Sequence, residues 1–230
     1  MRRLFYSLAF AAVGVALVPA PAHAQQAFTF YIGGFAPRGL ESRPTSDVLL
    51  QDSFFLDFGK FTSATVGGEW TVGLGERTEA GLGVGFYQHT EPAFDAFSVN
   101  ADTGAPIEAD LKLREIPFYA TLRYLPAGRG GPVEPYVGAG VAAIAWHYSE
   151  NGDFVATDGV SIVRGVFKGS GAAVGPVILG GVRLPMGPAT VGGEIRYQTA
   201  KGKLPADQGF AGPKIDLGGF NYLLTLNLRF

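Results

Sequence analysis

The chain has 230 residues, 34 of them glycine, with 47% hydrophobic residues, 17% charged residues and a formal net charge of −2. That composition is too apolar for a disordered chain and too weakly basic for a nucleic-acid binder. The absence of cysteine excludes a disulfide framework, a thiolate metal site and a cysteine nucleophile.

Residues 1–24 have the form of a secretory signal peptide. Arg2 and Arg3 make a basic start, Leu4 to Val18 is apolar, and Pro19 and Pro21 break the stretch. Ala22-His23-Ala24 then offers a small-x-small cleavage site, with Ala22 and Ala24 as the recognised residues. The alternative, an uncleaved anchor, needs about 20 apolar residues. The expected organisation is therefore a signal peptide over 1–24 and one domain over 25–230. No later apolar run is long enough for a membrane helix.

Eight segments of that domain alternate apolar and polar residues with a period of two, which predicts strands. In chain order they are 27–36, 65–74, 79–89, 115–124, 135–148, 169–184, 189–198 and 220–230. In the last, Tyr222, Leu224, Leu226, Leu228 and Phe230 share one face, against Asn221, Leu223, Thr225, Asn227 and Arg229. In 135–148 both faces are apolar and the parity stays open. Glycine and proline are too dense for a helical period. Short links at 75–78, 127–134 and 185–188 alternate with long ones near 37–60, 90–110, 149–168 and 199–218. A meander with short turns at one end and long loops at the other predicts an all-β, eight-stranded antiparallel transmembrane β-barrel of the up-and-down type. A soluble eight-stranded barrel has the same strand count but carries its charges outside.

The polar faces hold Glu69, Glu115, Arg123, Arg183, Glu194, Arg196 and Arg229, and no lysine. Arginine pairs with carboxylates bidentately in confined spaces, and an eight-stranded barrel has room inside only for side chains. These seven residues are expected to form an internal ion-pair network. The apolar faces predict two aromatic girdles at the membrane interfaces. One comprises Phe28, Tyr124, Tyr136 and Phe230 near the periplasmic end; the other comprises Trp70, Phe86, Phe118, Trp146, Tyr197 and Tyr222 near the loop end.

The signal peptide, the eight segments, the Pro135–Val141 strand and the terminal Tyr222–Phe230 segment resemble small outer-membrane β-barrels of Gram-negative bacteria, of the OmpA and OmpW types. The resemblance implies location in the bacterial outer membrane, contact with outer-membrane lipid and lipopolysaccharide, and a monomer. It also implies that Tyr222, Leu224, Leu226, Leu228 and Phe230 are read by the barrel-assembly machinery. The chain stops at Phe230, and a departure from OmpA is therefore expected, the absence of the peptidoglycan-binding domain that follows its barrel.

Little in the chain points to chemistry. Only His89 and His147 follow the signal segment, no phosphate-binding loop occurs, and no metal, cofactor or nucleic acid is expected. His147-Tyr148-Ser149 resembles the His-x-Ser of lipid A deacylase barrels, and both side chains fall on one strand face. No acid at a matching position completes a triad. Glu91, Asp95, Asp102, Glu108 and Asp110 make an acidic stretch without the spacing of a calcium loop. Phe54, Phe55, Leu56 and Phe58 form an apolar cluster that can cover the barrel mouth or contact a ligand. The expected function is a non-enzymatic, closed barrel acting structurally or through its loops. The alternatives are a narrow channel or carrier for small hydrophobic molecules and, behind it, a lipid A esterase using His147 and Ser149.

Overall fold

The computed structural model describes residues 25–51, 54–55, 58–99, 104, 106–156 and 161–230. The signal segment with Ala22 and Ala24 lies outside the described residues, as do Leu56 and the side chains of Phe54, Phe55 and Phe58.

Eight long strands form one antiparallel ring. They are β1 (Gln26–Pro37), β2 (Ser63–Gly73), β3 (Thr78–Val99), β4 (Pro106–Tyr124), β5 (Glu134–Val155), β6 (Ile162–Met186), β7 (Ala189–Gln198) and β8 (Gly219–Arg229). Each pairs with the next in sequence, as expected of a meander. The last closes on the first, with Phe28 opposite Leu228 and Ile32 opposite Leu224. Closure leaves no open sheet edge among these eight, the condition for strands to cross a bilayer.

Three tight connections lie at one end. Gly187, at φ +66°, turns the chain between β6 and β7 in a conformation that a side chain rarely adopts. At the other end the strands outrun the membrane. β3, β5 and β6 have 22, 22 and 25 residues, where about 9–11 span a bilayer. The stretches expected as long polar loops near 90–110 and 149–168 are therefore largely hairpin extensions of β3–β4 and β5–β6.

The alternation inverts along these strands. On β4 the outward residues Tyr124, Leu122, Ala120, Phe118 and Ile116 are apolar, while Arg123, Thr121 and Glu115 point inward. Above Glu115 the outward residues are Arg114, Lys112, Asp110 and Glu108, and the inward ones are Leu113, Leu111, Ala109 and Ile107. One half of the barrel is thus apolar outside and polar inside, and the other half is the reverse. Val174 and Leu224 on the lower half stay 72% and 71% exposed, which only a lipid environment makes favourable. The upper half buries Phe35, Phe61, Tyr87, Ile144, Trp146 and Tyr148 around its axis, as a water-soluble barrel does.

The open parity of β5 resolves with Tyr136, Ala142, Ile144, Trp146 and Tyr148 inward. This corrects the girdle assignment. Tyr136 and Trp146 are core residues, and Trp70 pairs with Phe28 toward the short-turn end rather than the loop end.

Candidate functional site

The barrel interior is built in tiers. At the short-turn end, Arg183 donates to both oxygens of Glu79 at 3.1 and 2.9 Å, and Arg129 reaches the same carboxylate at 3.1 Å. Arg229 pairs with Glu134, whose other oxygen accepts the Gly130 amide at 2.8 Å.

The middle tier is a closed quartet of two acids and two bases. Arg123 Nη2 lies 2.8 Å from Glu69 and 3.0 Å from Glu194. Arg196 Nη2 lies 2.9 Å from Glu69 and 2.6 Å from Glu194. Thr121 and Tyr136 donate hydroxyl hydrogens to Glu69 and Glu194. Arg196 also sits over the rings of Tyr119 and Tyr31, at 4.3 and 5.2 Å, and Arg183 over Tyr136 at 4.4 Å. Three strands, β2, β4 and β7, supply the four charges, so the quartet ties separate walls together across the lumen. Gly81 faces Glu69 and Gly181 faces Tyr136, and a Cβ at either would overlap that side chain.

Of the seven interior residues expected from the sequence, Glu69, Arg123, Arg183, Glu194, Arg196 and Arg229 each contact an opposite charge. Glu115 is inward and buried but makes no ion pair among the described residues. It accepts from Gln198 at 2.9 Å, and its second oxygen has no hydrogen-bond partner. The reason is its height. It stands above the quartet, where the interior turns apolar. Glu79, Arg129 and Glu134 escape the sequence reading. Glu79 shares the polar parity of Gly81 and Gly83, so period two could have found it. Arg129 sits in a turn, where no periodic signal exists.

A lid covers the outer mouth. Arg38 Nη1 binds Asp216 at 2.9 Å, and its Nη2 lies within hydrogen-bond reach of the Tyr197 and Thr199 hydroxyls. Arg43 binds Asp47 at 3.0 Å, with both side chains fully buried. Asp47 in turn accepts the amides of Leu49 and Asp216. Burial pushes the Asp47 carboxyl up, against the opposing pull of Arg43. These contacts seat Val48 and Leu49 in the apolar core beside Ile215 and Leu217. Of the apolar cluster expected at the mouth, the backbone of Phe54 and Phe55 pairs with Asp95 and Phe94 of β3.

His147 and Ser149 point outward on β5, while Glu150 is turned inward and buried. Arg114, Lys168 and Lys112 are the charges that act on the His147 ring. A catalytic histidine needs an acid there. The acidic stretch does not converge either. Glu91 is inward beside His89 at 3.2 Å, and Glu108 and Asp110 are outward. Among the described residues, no group of three or more His, Asp or Glu side chains is placed to hold a metal.

A closed ring of eight antiparallel strands, apolar outside and charge-paired inside over a membrane's height, defines a transmembrane β-barrel of the outer-membrane class. The chain is similar in structure to a major outer membrane protein from Thermus thermophilus, at 15% identity and a TM-score of 0.48, over 90% of this chain and 99% of that one. It is also similar to the E. coli outer membrane protein W, at 14% identity and a TM-score of 0.43, over 91% and 100% of the two chains. Neisserial surface protein A matches at 14% identity and a TM-score of 0.42, over 90% and 96%. No protein-family model and no curated protein matches the sequence.

Proposed function

We propose that this is a non-enzymatic outer-membrane barrel with a sealed interior, acting as a structural element or through the surface of its outer half. The observation that supports this most directly is the Glu69–Arg123–Glu194–Arg196 quartet. Its members come from β2, β4 and β7 and are nearly inaccessible to solvent. An eight-stranded barrel is only wide enough for its own side chains, and charges engaged with one another leave no solvated path for an ion. The lid adds a second closure above the first.

A carrier of small hydrophobic molecules is the second reading. It is favoured by the apolar core behind the mouth, which the chain's own Val48 and Leu49 occupy. In that reading the lid gives way to the ligand. On the resemblance noted from the sequence, the outward Tyr222, Leu224, Leu226, Leu228 and Phe230 of the closing segment serve as the assembly signal, and the barrel works as a monomer in contact with lipid.

Conductance of the refolded barrel in a planar bilayer tests the sealed interior. A silent bilayer, from protein that is folded, is the expected result. Discrete current steps blocked by small apolar compounds favour the channel or carrier.

A further inference from the structure

The outward face of β4, β5 and β6 changes character at one height. On β5 the outward residues run Ala139, Val141, Ala143 and Ala145, then His147 and Ser149. On β6 they run Ile178, Pro176, Val174 and Ala172, then Ser170 and Lys168. On β4, Arg114 and Lys112 follow Ile116. Strand register brings these ends into two rows. Arg114 is opposite His147, which is opposite Ser170; Lys112 is opposite Ser149, which is opposite Lys168. With strands about 4.8 Å apart and rows about 6.6 Å apart, the patch is about 10 Å by 7 Å.

Three permanent cations, an imidazole and two hydroxyls therefore share one small surface. Among the described residues, no ion pair includes Lys112, Arg114 or Lys168. In the membrane-spanning interior of the same barrel the arginines are neutralised; here like charges are held close together, which is unfavourable without an external anion. The outward acids begin one row higher, at Asp110, with Glu108 and Asp153 above it. They confine any bound anion to the basic rows.

Depth and shape identify the anion. Ten strand steps separate Tyr124 from Arg114, about 25 Å of height at a tilt of about 40°. Arg114 therefore stands at the top of the apolar band, where lipid headgroups lie. Directly beneath, Ala143, Ala145 and Ala172 make a shallow apolar wall on which an acyl chain can rest. A ligand with phosphate above and acyl chains below matches both parts. Arginine binds phosphate oxygens in a fork, and lysines and serines add single donors.

We infer that Lys112, Arg114, His147 and Lys168, with Ser149 and Ser170, form a docking site for the phosphate groups of an outer-leaflet glycolipid. The inference rests on the reading that this end of the barrel faces outward from the cell; it does not depend on whether the interior conducts.

The test is a titration of the purified barrel in zwitterionic micelles with bisphosphorylated lipid A and with the same lipid enzymatically dephosphorylated. The phosphorylated form is expected to bind at least about tenfold more tightly. The K112Q/R114Q/K168Q variant is expected to lose on the order of a hundredfold in affinity. A control variant, R77Q, at the short-turn end of the barrel, is expected to bind as the wild type does. Equal binding by the wild type and the triple variant, or equal binding of both lipids, overturns the inference. Full competition by inorganic phosphate at the lipid's own affinity also overturns it, because the site then takes a free anion. Heat-dependent gel migration establishes that each variant is folded, and the single variants R114Q and K168Q, each expected to weaken binding severalfold, decide the matter if the triple variant does not fold. Since binding is read in micelles, its failure is separate from any result in the planar bilayer.

Discussion

Arg196 and Glu69 face each other across the barrel lumen, with Arg196 Nη2 2.9 Å from the Glu69 carboxylate. The same nitrogen lies 2.6 Å from Glu194, two residues earlier on the same strand. One guanidinium thus joins a neighbour on its own wall to a partner 127 residues away. Replacing either arginine of the quartet by methionine leaves a carboxylate buried without its full complement of positive charge. For Arg196→Met or Arg123→Met the expected loss is about 3–5 kcal/mol, the range for breaking a buried pair from one side. Urea unfolding of the refolded barrel measures it, and an unchanged midpoint would contradict the arrangement.

Glu115 is the contrasting case. It is as buried as Glu69 but makes no ion pair among the described residues, and one of its oxygens makes no hydrogen bond. Glu115→Gln removes a buried carboxyl that makes no ion pair and keeps an acceptor for Gln198, so the urea midpoint is expected to stay or rise. Glu69→Gln is expected to lower it, because two arginines then lose part of their counter-charge.

Gly81 is a site where a methyl group has no room. Its Cβ would overlap the Glu69 carboxylate and the Thr121 hydroxyl. Gly81→Ala is expected to cost about 1–3 kcal/mol through overpacking. Gly180, on the outward face of β6, has nothing closer than 3.7 Å to such a Cβ, and Gly180→Ala is expected to be neutral. Comparing the two midpoints separates steric exclusion from a general effect of glycine in strands.

The lid predicts a local effect. Arg38 holds Asp216 beside the seam where β1 meets β8. Arg38→Ala is expected to speed amide hydrogen exchange in 38–51 by roughly 10–100-fold, the equivalent of about 1.5–3 kcal/mol for a charge-assisted hydrogen bond. Exchange in the Phe28–Ile32 and Leu224–Leu228 rungs of β1 and β8 is expected to stay unchanged, since they lie well below the Arg38–Gly218 bond that joins the lid to the seam.

Period-two alternation was enough to read the membrane-crossing half from residue order. Tyr222 to Phe230 and Ile116 to Tyr124 show it plainly, because lipid on one side and a crowded polar interior on the other demand opposite chemistry at every step. The interior charges followed from the same parity, including Glu69, Arg123, Glu194 and Arg196. Partner choice did not follow. Whether Glu115 meets a guanidinium or Gln198 depends on height within the ring, and height is set by the stagger of eight strands, which residue order alone does not contain. The outer half was hidden for a related reason. Above Glu115 the alternation reverses, with Leu113 and Leu111 turned in and Arg114 and Lys112 turned out, so that a continuing strand resembles a polar loop. The two basic rows and the Arg38–Asp216 lid were decided only by the closed ring, which brings together residues up to 178 positions apart.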